Sequence, residues 1–283
     1  MASARYCVIG NPIAHSKSPQ IHAMFAEQTG QVLSYQQQLA DLDGFAACVE
    51  TLLQQGYAGA NVTVPFKLEA YQLAHQRSPR ALAAAAVNTL KFIDGEIHAD
   101  NTDGLGLVND IQLHAGLHLT GKRILLIGAG GAARGAILPL LEQNPASLSL
   151  VNRSADKALA LVTELSRSAL VPTTLSSRLQ ATHFADLRPE FDLIINASSA
   201  SLQGELPPVS AAVLAHADLV YDMMYGTRLS PFLQLAQQHG APVRDGLGML
   251  VEQAAAAFHW WRGVQPDTVS VLRSLRTALE SAQ

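Results

Sequence analysis

The feature that most constrains this chain is a single contiguous unit. It comprises the apolar run Arg123-Ile-Leu-Leu-Ile-Gly128, the turn Gly128-Ala129-Gly130-Gly131-Ala132 that leaves it, and a second strand pattern, Ser147–Val151. A short continuous apolar run is what a strand buried on both faces requires, so Arg123–Gly128 reads as a strand of a parallel sheet. Gly128 permits the tight turn, Gly130 lets backbone approach a pyrophosphate, and Ala133 or Gly135 lets the next helix pack closely on the strand. That helix, predicted from Ala132 to about Leu141, points its amide-rich N-terminus at the phosphates. A glycine-rich turn alone is a weak signal, since it also occurs as a plain loop before a helix; strand, turn and helix together argue for a dinucleotide site.

The second strand begins about twenty residues after the turn, where a βαβ unit places it. An NAD site ends this strand in Asp or Glu to hold the ribose 2′-hydroxyl. Here it ends in Asn152-Arg153-Ser154, with Lys157 one turn later. Two cations and two small polar groups suit a 2′-phosphate and gain nothing from a bare ribose, so the expected cofactor is NADP. The competing reading is a solvated arginine at a strand end.

At 283 residues with 48% hydrophobic composition, the chain is long enough for two domains or one large one. A net charge of −4, with scattered Lys and Arg, offers no basic field for nucleic acid. Cys7 and Cys48 are the only cysteines, with no CxxC spacing. Neither a disulfide framework nor a zinc site is expected, and reduced thiols fit a cytoplasmic protein. The N-terminus lacks the apolar core of a signal peptide, and no uncharged run reaches the length of a membrane span.

The first hundred residues alternate short apolar runs with helical stretches, as an α/β domain does. Strands are predicted at Tyr6–Ile9, Val32–Leu39 and Ala60–Val64, and helices at Pro19–Thr29, Leu42–Gln55 and Lys67–Ala74. Thr89–Ile93 and Glu96–Ala99 flank Asp94-Gly95, a two-residue hairpin turn. A helix after Asp100-Asn-Thr-Asp-Gly104, running to about His114, is the expected hinge to the glycine-rich unit. Phe191–Ile195 and Leu219–Asp222 are further buried strands, while Met249–Trp260 and Asp267–Ala282 are helical and return to the first domain. The expected fold class is therefore α/β with two α/β domains. A discontinuous substrate domain takes residues 1–103 and 247–283, and a doubly wound Rossmann-type NADP-binding domain takes 104–246.

Chemistry must come from the other half. In Asn61-Val-Thr-Val-Pro-Phe-Lys67, strand alternation puts Asn61 and Thr63 on one face, and Pro65 leaves Lys67 at the opening of the next helix. A cation there opposes the helix dipole, although a lone lysine is ordinarily a solvated charge. Asp103 reads by itself as a helix cap. Reduction of a carbonyl by hydride, however, needs a proton donor that a carboxylate can orient, and Lys67 with Asp103 supplies that pair. Ser16 and Ser18, just before the predicted Pro19 helix, combine hydroxyls with free amides and can hold a carboxylate; the simpler reading is an N-cap. Asn88 alone reads as a turn residue and Gln253 as a solvated helix face. His114 and His118 have i, i+4 spacing but flank Gly116 and lack a carboxylate partner, so no metal is expected. No GxSxG or Cys-His pattern suggests a covalent nucleophile.

These segments, taken in order, resemble the shikimate/quinate dehydrogenase family over nearly the whole chain. The resemblance is carried by Gly10-Asn-Pro-Ile-Ala-His-Ser-Lys-Ser-Pro19, Asn-Val-Thr-Val-Pro-Phe-Lys67, Ala86-Val-Asn-Thr89 and Asp100-Asn-Thr-Asp-Gly104. Gly-Ala-Gly-Gly-Ala132, Asn152-Arg-Ser154, Tyr221-Asp-Met-Met-Tyr225 and Asp245-Gly-Leu-Gly-Met-Leu250 complete it. It implies NADPH-dependent, reversible reduction of 3-dehydroshikimate to shikimate on a two-domain fold. It also implies that Ser16 and Ser18 take the substrate carboxylate, and that Thr63, Asn88, Asp103, Tyr225 and Gln253 hold ring hydroxyls. Asn61 joins this substrate-facing set. By the same resemblance Lys67 is the acid/base residue working with Asp103. The cofactor lies on Gly128, Ala129, Gly130, Gly131, Ala132, Asn152, Arg153, Ser154 and Lys157, with Met223 and Gly246 near the nicotinamide. The implied partner is a small molecule, with no nucleic acid and no membrane, bound by a monomer or homodimer.

Three positions depart from the family pattern. Ala84-Ala85-Ala86 stands where a glycine is common, Asn196-Ala-Ser-Ser-Ala200 has Ser and Ala where Thr and a later Gly are common, and Pro79 replaces an acid found in some relatives. Two alternatives remain open from sequence. One is a quinate/shikimate dehydrogenase with relaxed substrate and NAD use, against which Arg153 argues. The other is a non-catalytic dinucleotide sensor, which has no reason to keep both Lys67 and Asp103.

Overall fold

A computed structural model describes residues 3–198 and 205–281. Within it the chain divides into two compact units, Met1–Asp103 with Val251–Arg273, and Gly104–Leu250 with Ser274–Gln283. Ser199 and Ala200 of the Asn196–Ala200 run, and Ala282 at the end of the last predicted helix, lie outside the described residues.

The first unit runs β1 (Ala4–Gly10), α1 (Ser18–Thr29), β2 (Leu33–Leu39), α2 (Phe45–Gln54) and β3 (Gly59–Val62). It continues through α3 (Lys67–Leu73), β4 (Gln76–Arg77), α4 (Pro79–Ala84), β5 (Thr89–Ile93) and β6 (Glu96–Asp100). The sheet order is β2-β1-β3-β5-β6-β4. β1 pairs in parallel with β2 and β3, and the β5–β6 hairpin joins β3 antiparallel. Asp94 and Gly95, at φ 50° and 83°, make the two-residue turn whose twist matches its strands. α1 stops at Gly30, which takes the left-handed conformation at φ 63° and donates its N–H back into the last turn.

Several predicted boundaries move. α2 starts at Phe45 rather than Leu42 because Asp41–Gly44 close a turn, with Gly44 N donating to Asp41 O at 3.0 Å. β3 stops at Val62 because the chain turns at Thr63, whose carbonyl accepts from Phe66 N. All four residues of β3 are buried, since it lies inside the sheet with both faces covered. Ser18 does not precede α1 but is its first residue, and Lys17 takes the cap position without a side-chain cap bond.

His22 on α1 is buried at the centre of an aromatic cluster. Its ring stacks on Tyr35 at 4.2 Å and meets Phe25, Phe258 and Trp261. Neither ring nitrogen has a hydrogen-bond partner among the described residues. Burial lowers its pKa from 6.5 to about 3. The native imidazole therefore stays neutral while the unfolded one binds a proton below pH 6.5. Stability contributed by the neutral ring is complete above that value and falls as pH drops toward 3. Between pH 7 and 5 this one group removes about 2 kcal/mol of stability. Urea unfolding at the two pH values should show His22→Phe losing about that much less than wild type; equal losses would refute this account.

The second unit begins at Gly104, the second residue of α5 (Asp103–Asn109), which is continued by one π-helical turn, Asp110–His114. It then runs β7 (Arg123–Ile127), α6 (Gly131–Glu142), β8 (Ser147–Val151), α7 (Ala155–Arg167), α8 (Thr173–Ser176) and β9 (Leu179–Thr182). β10 (Leu193–Asn196), α9 (Ala211–Ala215), β11 (Leu219–Asp222), α10 (Pro231–Gln238) and β12 (Val243–Asp245) follow. The sheet is parallel throughout in the order β12-β11-β10-β7-β8-β9. This doubly wound order reverses beside β7, where such sheets bind ligands. Four of the five residues of β7 and of β8 are buried, as runs covered by helices on both faces must be. The edge strands β9 (LQAT) and β12 (VRD) carry no apolar run and are not legible as strands in the sequence.

The last helices are α11 (Leu247–Arg262) and α12 (Thr268–Glu280). Residues 247–250 and 274–283, expected with the first domain, group with the second unit. Gly248 packs on Asp110, and Arg276 forms an ion pair with Asp245.

Candidate functional site

In the first unit, α3 opens on Lys67 with Phe66 at the cap. The ammonium therefore sits at the positive end of a helix and needs an anion. Lys67 Nζ donates to Asp103 Oδ2 at 2.6 Å, with both side chains largely shielded. The other carboxylate oxygen, Oδ1, accepts from Asn88 Nδ2 at 2.8 Å. Asp103 thus has one oxygen on the lysine and one on a buried amide, which fixes its rotamer. The ammonium carries three hydrogens and the ion pair uses one.

Asn88 is more than a turn residue. Its Oδ1 accepts from Thr102 N at 2.8 Å and from Thr89 Oγ1 at 2.9 Å. Its Nδ2 lies within hydrogen-bond distance of Thr102 Oγ1, Asp103 Oδ1 and Gln253 Oε1, so two hydrogens are shared among three acceptors. Gln253, on α11, is thereby brought to the Lys67–Asp103 pair. Asn101 accepts from Asp103 N and donates to Ala86 O, pinning the turn from β6 into α5. Asn101 and Thr102 lie in the polar Asp100–Gly104 cluster, but their roles as struts become visible only with their partners in place.

Ser16 Oγ accepts from Ser18 N at 3.3 Å. Ser18 bonds Tyr35, and Tyr35 Oη donates to Asn61 Oδ1 at 2.7 Å. Asn61 is buried and spends both amide hydrogens on Asn88 O and Thr89 Oγ1. One lone pair on its carbonyl oxygen is all it keeps for a ligand. Thr63 packs closely on Gly10, where an added Cβ would come within 2.6 Å of Thr63 Cγ2. Tyr35, the link between Ser18 and Asn61, carries no sequence signal of its own, because on β2 it reads as an ordinary half-buried strand aromatic.

In the second unit, Gly128 takes φ +117°, a conformation L side chains rarely adopt, and a Cβ there would press on the Ala197 backbone at 3.2 Å. α6 starts at Gly131 with Gly130 as its cap residue, and a Cβ at either position would meet open space. Ala129, Gly130, Asn152, Arg153, Ser154 and Lys157 line one concavity. An adjoining hollow has Phe184, Leu206, Pro207 and Pro208 on its walls. Arg153 is exposed, with Glu205 at 3.7 Å. Ala132 lies in the first turn of α6. An open amide-rich turn with a cationic concavity beside it has the chemistry that the phosphates of NADP require.

Met223 follows β11 and Gly246 follows β12. They are in close contact, since a Cβ on Gly246 would lie 2.1 Å from Met223 O. Tyr225 also follows β11, part-exposed, with burial raising its pKa. Ser16, Ser18, Asn61, Thr63, Lys67, Asn88, Asp103 and Gln253 belong to the first unit, and Tyr225 with all the cofactor candidates belongs to the second.

A doubly wound sheet with an open glycine turn, and a second α/β unit presenting a lysine–carboxylate pair, define a dinucleotide-dependent oxidoreductase. Family models described as the shikimate dehydrogenase substrate binding domain, shikimate / quinate 5-dehydrogenase and the shikimate 5'-dehydrogenase C-terminal domain match residues 8–90, 111–203 and 246–276. The shikimate dehydrogenase (NADP(+)) of Janthinobacterium sp. (strain Marseille) is 56% identical over 274 residues, 97% of each chain. Among solved structures, an Ael1 enzyme from Pseudomonas putida superposes with a TM-score of 0.90 at 49% identity, over 96% of this chain and 98% of that one. The shikimate 5-dehydrogenase of Thermus Thermophilus, in complex with NADP(H) and shikimate, gives 0.85 at 30% identity over 98% and 100%. The chain belongs to the shikimate dehydrogenase family.

Proposed function

We propose that this protein catalyses the NADPH-dependent, reversible reduction of 3-dehydroshikimate to shikimate in aromatic amino-acid biosynthesis. The observation that carries this reading is the Lys67–Asp103 pair, 2.6 Å apart and tied through Asn88 to Gln253. When bound, the dinucleotide supplies the hydride in one direction and accepts it in the other. Reduction leaves negative charge on the former carbonyl oxygen, and the Lys67 ammonium stabilises and protonates it. In the reverse direction Lys67, as the neutral amine that protonating the alkoxide leaves behind, takes the hydroxyl proton. Asp103 keeps the lysine aimed and accepts a ring hydroxyl, and Asn88, Gln253, Thr63 and Tyr225 supply further ring contacts. Asn61, nearly saturated inside the protein, acts mainly by holding Asn88 and Thr89 in place. Ser16 and Ser18 receive the carboxylate, with the hydroxyls as donors.

Residues 1–103 with most of the last two helices form the substrate domain in this reading, and the doubly wound unit is the NADP domain. Arg153 and Lys157 face the 2′-phosphate, with Asn152 and Ser154 as hydrogen-bonding neighbours, and Gly128, Ala129, Gly130, Gly131 and Ala132 cradle the pyrophosphate. Met223 and Gly246 border the nicotinamide. A monomer or homodimer in the cytoplasm completes the proposal; no helix among the described residues is long and apolar enough to cross a membrane. The test is formation of the reduced cofactor by purified protein, NADPH from NADP and NADH from NAD, with shikimate or quinate as substrate. Turnover with shikimate and NADP exceeding every other combination is expected. Preference for quinate, or equal use of NAD, would overturn the assignment.

A further inference from the structure

The second unit buries a carboxylate that no step above uses. Asp110, in the π-helical turn after α5, is fully buried. Its Oδ2 accepts from Tyr221 Oη at 2.7 Å and from Arg244 Nε at 2.9 Å, and its Oδ1 accepts from Arg244 Nη2 at 2.5 Å. It also lies against the first turn of α11, where a Cβ on Gly248 would come 1.8 Å from Oδ1. An anion there meets the positive end of that helix. One carboxylate therefore grips β11 through Tyr221, β12 through Arg244, and the start of the helix that follows β12.

The topology says what that grip controls. The 2′-phosphate concavity is built from the exit of β8, and the pyrophosphate turn from the exit of β7. β10, β11 and β12 lie on the opposite side of β7. A dinucleotide crossing the switch point must run its second half over their C-terminal exits. Those exits are seamed together, with Met223 N donating to Asn196 O at 3.0 Å and Gly246 N to Met224 O at 3.1 Å. Tyr221 stands two residues before Met223, and Arg244 two before Gly246. A second ion pair, Asp245 with Arg276 of α12, anchors the same exit.

We infer that Asp110 is a positioning residue for the nicotinamide end of the cofactor: through Tyr221 and Arg244 it sets the floor formed by Met223 and Gly246. This rests on the dinucleotide reading given above. The pair is worth retaining despite its burial because both strand exits depend on one rigid, bidentate contact.

The test uses Asp110→Asn, and Tyr221→Phe, which removes one hydrogen bond while the Arg244 pair stays. Each is compared with wild type in three measurements on the full chain. These are kcat and KM with shikimate and NADP, calorimetric binding of 2′-phospho-ADP-ribose, which lacks the nicotinamide, and anisotropy of the nicotinamide emission of bound NADPH. Expected are a kcat lower by about 10–100-fold for Asp110→Asn, a smaller drop for Tyr221→Phe, and reduced anisotropy. Binding of 2′-phospho-ADP-ribose should stay within about twofold of wild type. Unchanged kcat and anisotropy in both variants would overturn the inference. So would a parallel loss of 2′-phospho-ADP-ribose binding in both, since that marks general loss of the unit. Wild-type protein that binds neither ligand would overturn the dinucleotide reading as well, which separates the two failures.

Discussion

Lys67→Ala is expected to lower kcat for shikimate oxidation by roughly 10²–10⁴-fold, the range for removal of a positioned proton-transfer group, while KM for shikimate changes far less. The reason lies in when the interaction is made. A neutral hydroxyl or carbonyl gains little from a nearby ammonium, whereas the alkoxide-like oxygen of the transition state gains a full charge partner. Loss of such a contact appears in kcat and in kcat/KM together. Asp103 cannot take over the stabilising role, because a carboxylate is itself an anion and offers no donor to the developing alkoxide. Steady-state kinetics over a range of shikimate concentrations decides the matter, and a variant with unchanged kcat would remove Lys67 from the proton path.

The second large effect is on cofactor choice. Arg153→Ala should weaken NADP use about 10–100-fold and leave NAD use nearly untouched. A charged hydrogen bond contributes roughly 1.5–3 kcal/mol, and only the 2′-phosphate can receive it. Arg153 is 90% exposed, with Glu205 as a loose neighbour, so its removal uncovers no buried charge and the fold should be unaffected. Comparison of kcat/KM for both cofactors in wild type and variant measures the difference. Equal losses with NADP and NAD would mean that Arg153 acts on the turn rather than on the phosphate.

Legibility from sequence varies with distance along the chain. β8 at Ser147–Val151 is read to the residue from its place in the βαβ unit, and β11 at Leu219–Asp222 from its apolar run. The Asp94-Gly95 hairpin and the Gly30 helix stop are equally local, fixed by which residues tolerate positive φ. β9 and β12, at the two edges, escape because an edge strand is held by one neighbour and needs no apolar run. The sequence pattern places Ser18 one residue outside α1, a boundary error at a cap that carries no side-chain bond.

The site divides along the same line. Lys67 and Asp103 stand out singly, as a cation against a helix dipole and a carboxylate in a polar cluster. Their separation of 2.6 Å across 36 residues of chain is a property of the fold. Tyr35 between Ser18 and Asn61, and Gln253 against Asn88, are ordinary residues until packing brings their partners to them. Asp110 and Arg244 give no local signal, and Tyr221 reads only as part of a buried strand and a motif, because the contact that joins the three is made by the fold.

By itself, the sequence determined the βαβ unit with its glycine turn, the cation at the end of β8 and the alternation that makes both halves α/β, because each is encoded within a turn or two of contiguous chain. Only the tertiary structure decided which polar groups share a hydrogen-bond network, which carboxylate is buried against Arg244, and how residues 247–250 and 274–283 group with the second unit. The physical reason is range. Backbone propensity and hydrophobic periodicity act between near neighbours, whereas a buried polar group is stable only with partners that long loops deliver from elsewhere.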